Sequence, residues 1–237
     1  MPDAQRPRRA VLRDLAVLGA GAVLPGCASS GAGKDKDHEQ GGDQDVPPGE
    51  DLMREHGVLK RVLLVYAECA RRLDAGEDTP PDAVADGAEI IRTFIEDYHE
   101  RLEEDYLFPR FRRSNVLVPL VDTLTAQHQA GRRVTEETLH LATPASIRDP
   151  ADRRRLGVLL RSFIRMYEPH EAREDTVLFP ALRKIVSAHE YAAMGEEFEK
   201  IERRRFGQDG FERMVDRVAG IEKRLGIYEL AQFTPGA

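Results

Sequence analysis

The chain has 237 residues, a formal net charge of -7, seven histidines, two cysteines and no tryptophan. Two cysteines supply neither a disulfide framework nor a four-cysteine zinc site, so a metal here relies on nitrogen and oxygen ligands; the acidic balance argues against a nucleic-acid partner. No apolar run reaches the ~18 residues that a membrane-spanning helix needs, which leaves a globular body and makes the positions of the histidines the question to ask.

Residues 1–27 read as an export signal. Arg6, Arg8, Arg9 and Arg13 precede an uncharged stretch, Leu15 to Gly26, that ends in Leu24-Pro25-Gly26-Cys27. A basic segment followed by a short apolar one is the pattern of a signal peptide. Arg8-Arg9-Ala10-Val11-Leu12-Arg13 resembles the twin-arginine signal. Leu-Pro-Gly-Cys resembles the lipobox of bacterial lipoproteins, which implies lipidation of Cys27, contact with a membrane through that anchor only, and a periplasmic or cell-surface location. Residues 28–50 carry little to bury and read as a flexible linker.

The remainder reads as helices. From Glu50 to Leu73, Leu52, Leu59, Leu63, Tyr66, Ala70 and Leu73 follow the three-four spacing of an amphipathic helix. Cys69 in this stretch reads as a buried, inert thiol. A second helix follows Pro80-Pro81 and runs through Ile91, Ile95, Leu102 and Tyr106; a third covers about Val118 to Leu141. The fourth opens at Asp149-Pro150, an N-cap followed by proline at the first helical position, and passes through Leu156, Leu160, Phe163 and Tyr167. Four such helices predict an all-α, antiparallel up-down four-helix bundle over residues 51–188. Residues 189–237 form a C-terminal extension with two more helices, one capped by Ser187 and Glu190 and one closed by Gly226, expected to pack across the bundle.

The body repeats itself. His99-Glu-Arg-Leu-Glu103-Glu-Asp-Tyr-Leu-Phe108-Pro109 and His170-Glu-Ala-Arg-Glu174-Asp-Thr-Val-Leu-Phe179-Pro180 share the pattern His-x3-Glu-acidic-x-x-Leu-Phe-Pro with equal offsets. Each is preceded by a helix with one histidine on its apolar stripe: His56 lies 43 residues before His99, and His128 lies 42 before His170. Two copies of one helix pair predict a pseudo-twofold bundle in which six polar groups meet.

Four residues advance a helix by about 400°, so His99 sits above Glu103, and His170 above Glu174, roughly 6 Å apart. No Lys or Arg stands three or four residues from either glutamate. Two carboxylates facing a core without cations are costly, and two divalent metal ions remove that cost. A single His-x3-Glu pair is an ordinary helix pair; four histidines and two glutamates in repeated register point to a two-metal site. His38, His140 and His189 lack the pattern and read as exposed. Glu100, Glu104, Glu171 and Asp175 turn about 100° away from the ligands and read as solvated groups or as supports for them. Tyr98, Tyr106 and Tyr167 are close enough in sequence to donate hydrogen bonds around the site and also suit a core.

These segments resemble the hemerythrin-like, HHE cation-binding family over about residues 50–188, and the stretch from Glu199 to Ile227 resembles an extension that many bacterial members carry. The resemblance implies a non-haem di-iron centre with His56, His99, His128 and His170 as terminal ligands and Glu103 and Glu174 as bridges; manganese or zinc also suits such donors. Oxygen-carrying members have a further histidine one turn from the third-helix ligand, where this chain has Leu124 and Arg132, and an aspartate at the second bridge, where it has Glu174. One imidazole fewer leaves an extra open coordination position. Three functions follow from the resemblance: binding or sensing of dioxygen or a related small oxidant; enzymatic handling of peroxide or nitric oxide, or iron donation for cluster repair; and a zinc-loaded or metal-free interaction module. The partner is accordingly a small diatomic or peroxide ligand, and the redox partner is left open. Pro169, directly before His170, is expected to kink the fourth helix.

Overall fold

The computed structural model describes residues 46–236. The expected signal with Cys27, and the linker up to residue 45 with His38, lie outside the described residues. Among the described residues there is no strand, and no helix is long and apolar enough to cross a membrane. Helix α1 spans Pro48–Ala75. Helix α2 is a continuous rod in which regular segments Pro81–Ile90, Glu100–Leu102 and Phe108–Ser114 alternate with π-helical segments Ile91–His99 and Glu103–Leu107. Helix α3 spans Val118–Leu141, short α4 Pro144–Arg148, and α5 Pro150–Arg173, which continues through a π-helical segment Glu174–Leu178 into Phe179–Ile185. Helices α6, Ala188–Phe206, and α7, Gly210–Leu225, follow.

Helix α1 packs on α2 and α5, and α3 packs on α2 and α5, so the four form the closed ring of a bundle. Its interior is filled by Leu59, Val62, Phe94, Leu124, Leu160 and Phe163, all buried. The expected caps hold: Asp149 accepts from the N–H groups of Ala151 and Asp152 at 2.8 and 3.0 Å, Ser187 accepts from Glu190 N–H at 3.2 Å, and Gly226 takes the left-handed conformation (φ 72°) that ends α7. The start of the bundle differs from expectation. Pro48 and Gly49, read above as linker, join Glu50 in the first turn of α1, because Pro48 presets the helical φ and Pro47 C=O accepts from Glu50 and Asp51 N–H at 2.8 and 3.0 Å.

Helix α7 lies along α1 and α2, burying the narrow stripe Met214, Val218, Ile221 and Leu225. Arg61 of α1 grips Glu222 at 2.9 and 2.5 Å, and Arg72 donates to the Leu225 carbonyl at 2.6 Å, satisfying a helix-end acceptor.

Two of the three π-helical segments, Glu103–Leu107 and Glu174–Leu178, have a cause in the repeat. A proline has no N–H to give to the carbonyl four residues back, and its ring crowds that carbonyl. Ahead of Pro109 and Pro180 the chain widens instead: Phe108 N–H bonds Glu103 C=O and Phe179 N–H bonds Glu174 C=O, each five residues back. Both wide turns begin on the two repeat glutamates. Helix α5 runs through Pro169 without interruption, and its departure from α geometry comes at Glu174 instead.

Candidate metal centre

The structure brings the six repeat residues together in the bundle interior, and all six are buried. His56 and His99 pair with ring centroids 4.7 Å apart, and His128 and His170 pair at 5.0 Å. Each glutamate divides its two oxygens between the pairs. Glu103 Oε1 is 3.8 Å from His99 Nε2, and its Oε2 is 3.4 Å from His128 Nε2. Glu174 Oε2 is 3.4 Å from His56 Nε2, and its Oε1 is 3.2 Å from His170 Nε2. Donor atoms of His56, His99, Glu103 and Glu174 lie within 4.8 Å of one another, as do those of His128, His170 and Glu174.

The outward nitrogens fix the ring orientation. A carboxylate only accepts, so each histidine facing one donates from Nδ1 and turns Nε2 inward, bare in the neutral ring. His56 Nδ1–H donates to Asp175 at 2.7 Å, and His128 Nδ1–H to Glu104 at 3.1 Å. His99 Nδ1–H donates to Glu55 at 2.6 Å, and His170 Nδ1–H to the Gln127 amide oxygen at 2.9 Å. The acidic residue of each repeat thus holds the other copy's histidine. Phe179 stacks on His56 with centroids 5.6 Å apart, and Phe108 on His128 at 5.5 Å, in the same crossed sense.

This donor set suits cations. All four oxygens of Glu103 and Glu174 are buried without a hydrogen-bond donor, a costly state unless positive charge lies between them. His128 Nε2 and His170 Nε2 face each other at 3.3 Å, and two bare acceptors at that distance repel unless a cation or proton intervenes. The titration of the groups tells the same story. Burial, with the charge of Glu174, pushes the Glu103 carboxyl well above the usual range. Burial opposes charge on Glu174 too, but His170 and His56 outweigh it and hold that carboxyl well below the usual range. Burial is likewise outweighed at His56, which Asp175 and Glu174 raise to about 9, whereas burial and the charge of His56 push His99 well down.

The flanking acids are placed differently from a solvated surface. Glu104 and Asp175 support histidines, as above. Glu100 and Glu171 are buried, at 1% and 2% exposure, because the neighbouring helices cover them: Tyr167 donates to Glu100 at 2.6 Å and Arg132 pairs with it at 2.7 Å, while Lys60 reaches Glu171 at 4.0 Å. Of the tyrosines, Tyr167 touches the site, its ring 5.2 Å from His170. Tyr98 is buried against Glu55, the carboxylate that holds His99, and Tyr106 packs on Phe198 of α6 at 5.4 Å. Gly131 admits the Tyr167 hydroxyl, since a Cβ there would lie 2.2 Å from it. Gly131→Ala is therefore expected to cost about 1–3 kcal/mol of stability, read by denaturant unfolding.

His140 and His189 are exposed, as expected, and Cys69 is buried, which pushes its thiol up to about 12. Two pairs of supports were not singled out from the sequence: Glu55 and Gln127, each directly before a first-helix histidine, and Lys60 and Arg132, each four residues after one. Their equal offsets in the two copies are the signal that finds them.

No solved structure matches the chain. Uncharacterized proteins of Mycobacterium tuberculosis and Mycobacterium bovis are each 53% identical to it over 195 residues, covering 81% of this chain and 76% of each relative. A family model, the hemerythrin HHE cation binding domain, matches residues 48–182, which contain all six residues of the centre. The chain belongs to the hemerythrin HHE cation-binding family.

Proposed function

We propose that the centre holds two iron ions and that the protein binds or senses dioxygen or a related small oxidant. In this reading His56 and His99 serve one metal, His128 and His170 the other, and Glu103 and Glu174 bridge the two. The observation that carries it is the division of each glutamate's oxygens between the two histidine pairs. Two ferrous ions would supply the electrons that a bound oxidant takes up. The protein's own groups orient the imidazoles through Glu55, Asp175, Glu104 and Gln127, and they enclose the centre in an apolar shell that includes Phe108 and Phe179. Manganese or zinc would fit the same donors, with imidazole-rich ligation suiting ferrous iron. Anaerobic reduction followed by exposure to dioxygen tests the reading. A new visible absorption that is absent from zinc-loaded protein is the expected result; an unchanged spectrum contradicts it.

The absence of a second third-helix imidazole, with Leu124 and Arg132 one turn on either side of His128, favours a second reading, an enzyme that turns over peroxide or nitric oxide at an open coordination position. Saturable consumption of either by the iron-loaded protein would establish it. Export, with a lipid anchor at Cys27, is proposed from the N-terminal sequence alone, and radiolabelled palmitate incorporation that disappears in Cys27→Ala is the expected result.

Metal uptake should depend on pH. His56, raised to about 9, carries a proton at neutral pH that a metal must displace. Affinity should therefore climb by about tenfold per pH unit for each proton displaced, levelling off as the pH passes the raised value. Titration with a competing chelator at several pH values measures the slope; a flat profile contradicts the assignment of His56.

A further inference from the structure

The two halves of the centre are alike in sequence and unlike in closure. Arg132 and Lys60 stand at matching places, four residues after His128 and His56. On the α3 side, Arg132 spans Glu100 and Glu104 at 2.7 and 2.8 Å, and Tyr167 closes on Glu100 at 2.6 Å. On the α1 side, Lys60 reaches Asp175 at 3.4 Å and Glu171 only at 4.0 Å. Arg132 is 22% exposed and Lys60 52%.

A recess of about 340 Å³ opens at the looser side, between α1 and α5, with walls of Leu63, Leu64, Ala67 and Ile164 and with Lys60, Glu168 and Glu171 at its polar edge. Glu171 is the wall nearest the centre: its chain neighbour is His170, and its carboxyl lies in the field of His56 and Glu174. Asp175, which Lys60 touches, holds His56 directly.

We propose that this recess is the port through which a small uncharged molecule reaches the centre, with Lys60 and Glu171 as its gate; it rests on the reading of the centre as a site for a small oxidant. The chemistry of the walls selects the class. Four apolar side chains accept an uncharged diatomic and disfavour an ion that would lose its water. The acids at the edge, Glu168 and Glu171, outnumber Lys60 and disfavour anions. On the α3 side Arg132 and Tyr167 close on Glu100 instead.

A matched pair of exposed substitutions tests it. Leu64 of α1 corresponds in the repeat to Glu136 of α3, and both are exposed, so neither Leu64→Trp nor Glu136→Trp disturbs the core. Nitric oxide mixed anaerobically with the reduced, iron-loaded protein is the kinetic probe. An obstructed port slows arrival and departure by the same factor and leaves the equilibrium unchanged. Leu64→Trp should therefore slow both rate constants at least about tenfold at constant Kd, while Glu136→Trp matches wild type. Diffraction from xenon-pressurised crystals, which needs no metal, should place xenon against Leu63 and Ile164 in wild type and not in Leu64→Trp. Equal rates in wild type and Leu64→Trp, equal slowing in both variants, or no xenon in the recess would overturn the port. Failure of wild type itself to bind nitric oxide would instead overturn the reading of the centre.

Discussion

Glu174→Ala is expected to reduce bound metal from a pair per chain to background, whereas His189→Ala leaves it unchanged. Glu174 is the one residue whose donor atoms belong to both histidine groups within 4.8 Å, so its loss removes a negative charge and an oxygen from each metal at once. The remaining Glu103 cannot replace it, because its own oxygens are already divided between His99 and His128. His189 has the same imidazole but is exposed on α6. Elemental analysis of the freshly purified variants measures the outcome, and equal metal in the two would defeat the assignment.

The second large effect has opposite signs in the two metal states. In the chelator-treated protein Glu103→Gln should raise stability at neutral pH; in the metal-loaded protein it should lower stability by weakening the metal's hold. Burial and the charge of Glu174 raise the Glu103 carboxyl well above the usual range. A carboxyl raised in the folded state destabilises the fold above its unfolded pKa, where the unfolded chain loses the proton more readily, and the penalty vanishes below that pKa. Glutamine carries no such penalty. The gain in the metal-free state is present at pH 7 and disappears near pH 4, where the unfolded chain's carboxyl is itself protonated. Denaturant unfolding at both pH values, with and without metal, checks the sign; a metal-free variant less stable than wild type at pH 7 contradicts it. This is the expected behaviour of groups placed for binding at the expense of the fold.

Most of the bundle and the candidate ligands were legible in the sequence, for identifiable reasons. The three-four stripes of α1, α2, α3 and α5 are strong because each helix has one wet and one dry face, and the register of His99-Glu103 against His170-Glu174 repeats without a gap. What escaped was what depends on a neighbouring helix. Glu100 and Glu171 look solvated when only their own helix is considered, since a one-residue step turns them away from the histidines; they are buried because Tyr167, Arg132 and Lys60 come from other helices to cover them. Tyr106 packs on Phe198, a contact made by the C-terminal extension that its own helix does not announce. The wide turns at Glu103 and Glu174 were encoded all along in Pro109 and Pro180, the last residues of the repeat, whose effect falls on the preceding turn.

Anomalous diffraction at the iron absorption edge tests the central claim most directly. Two peaks are predicted, one beside His56 and His99 and one beside His128 and His170, with Glu103 and Glu174 between them. A single peak, or density beside Glu100 and Glu104 instead, would contradict it.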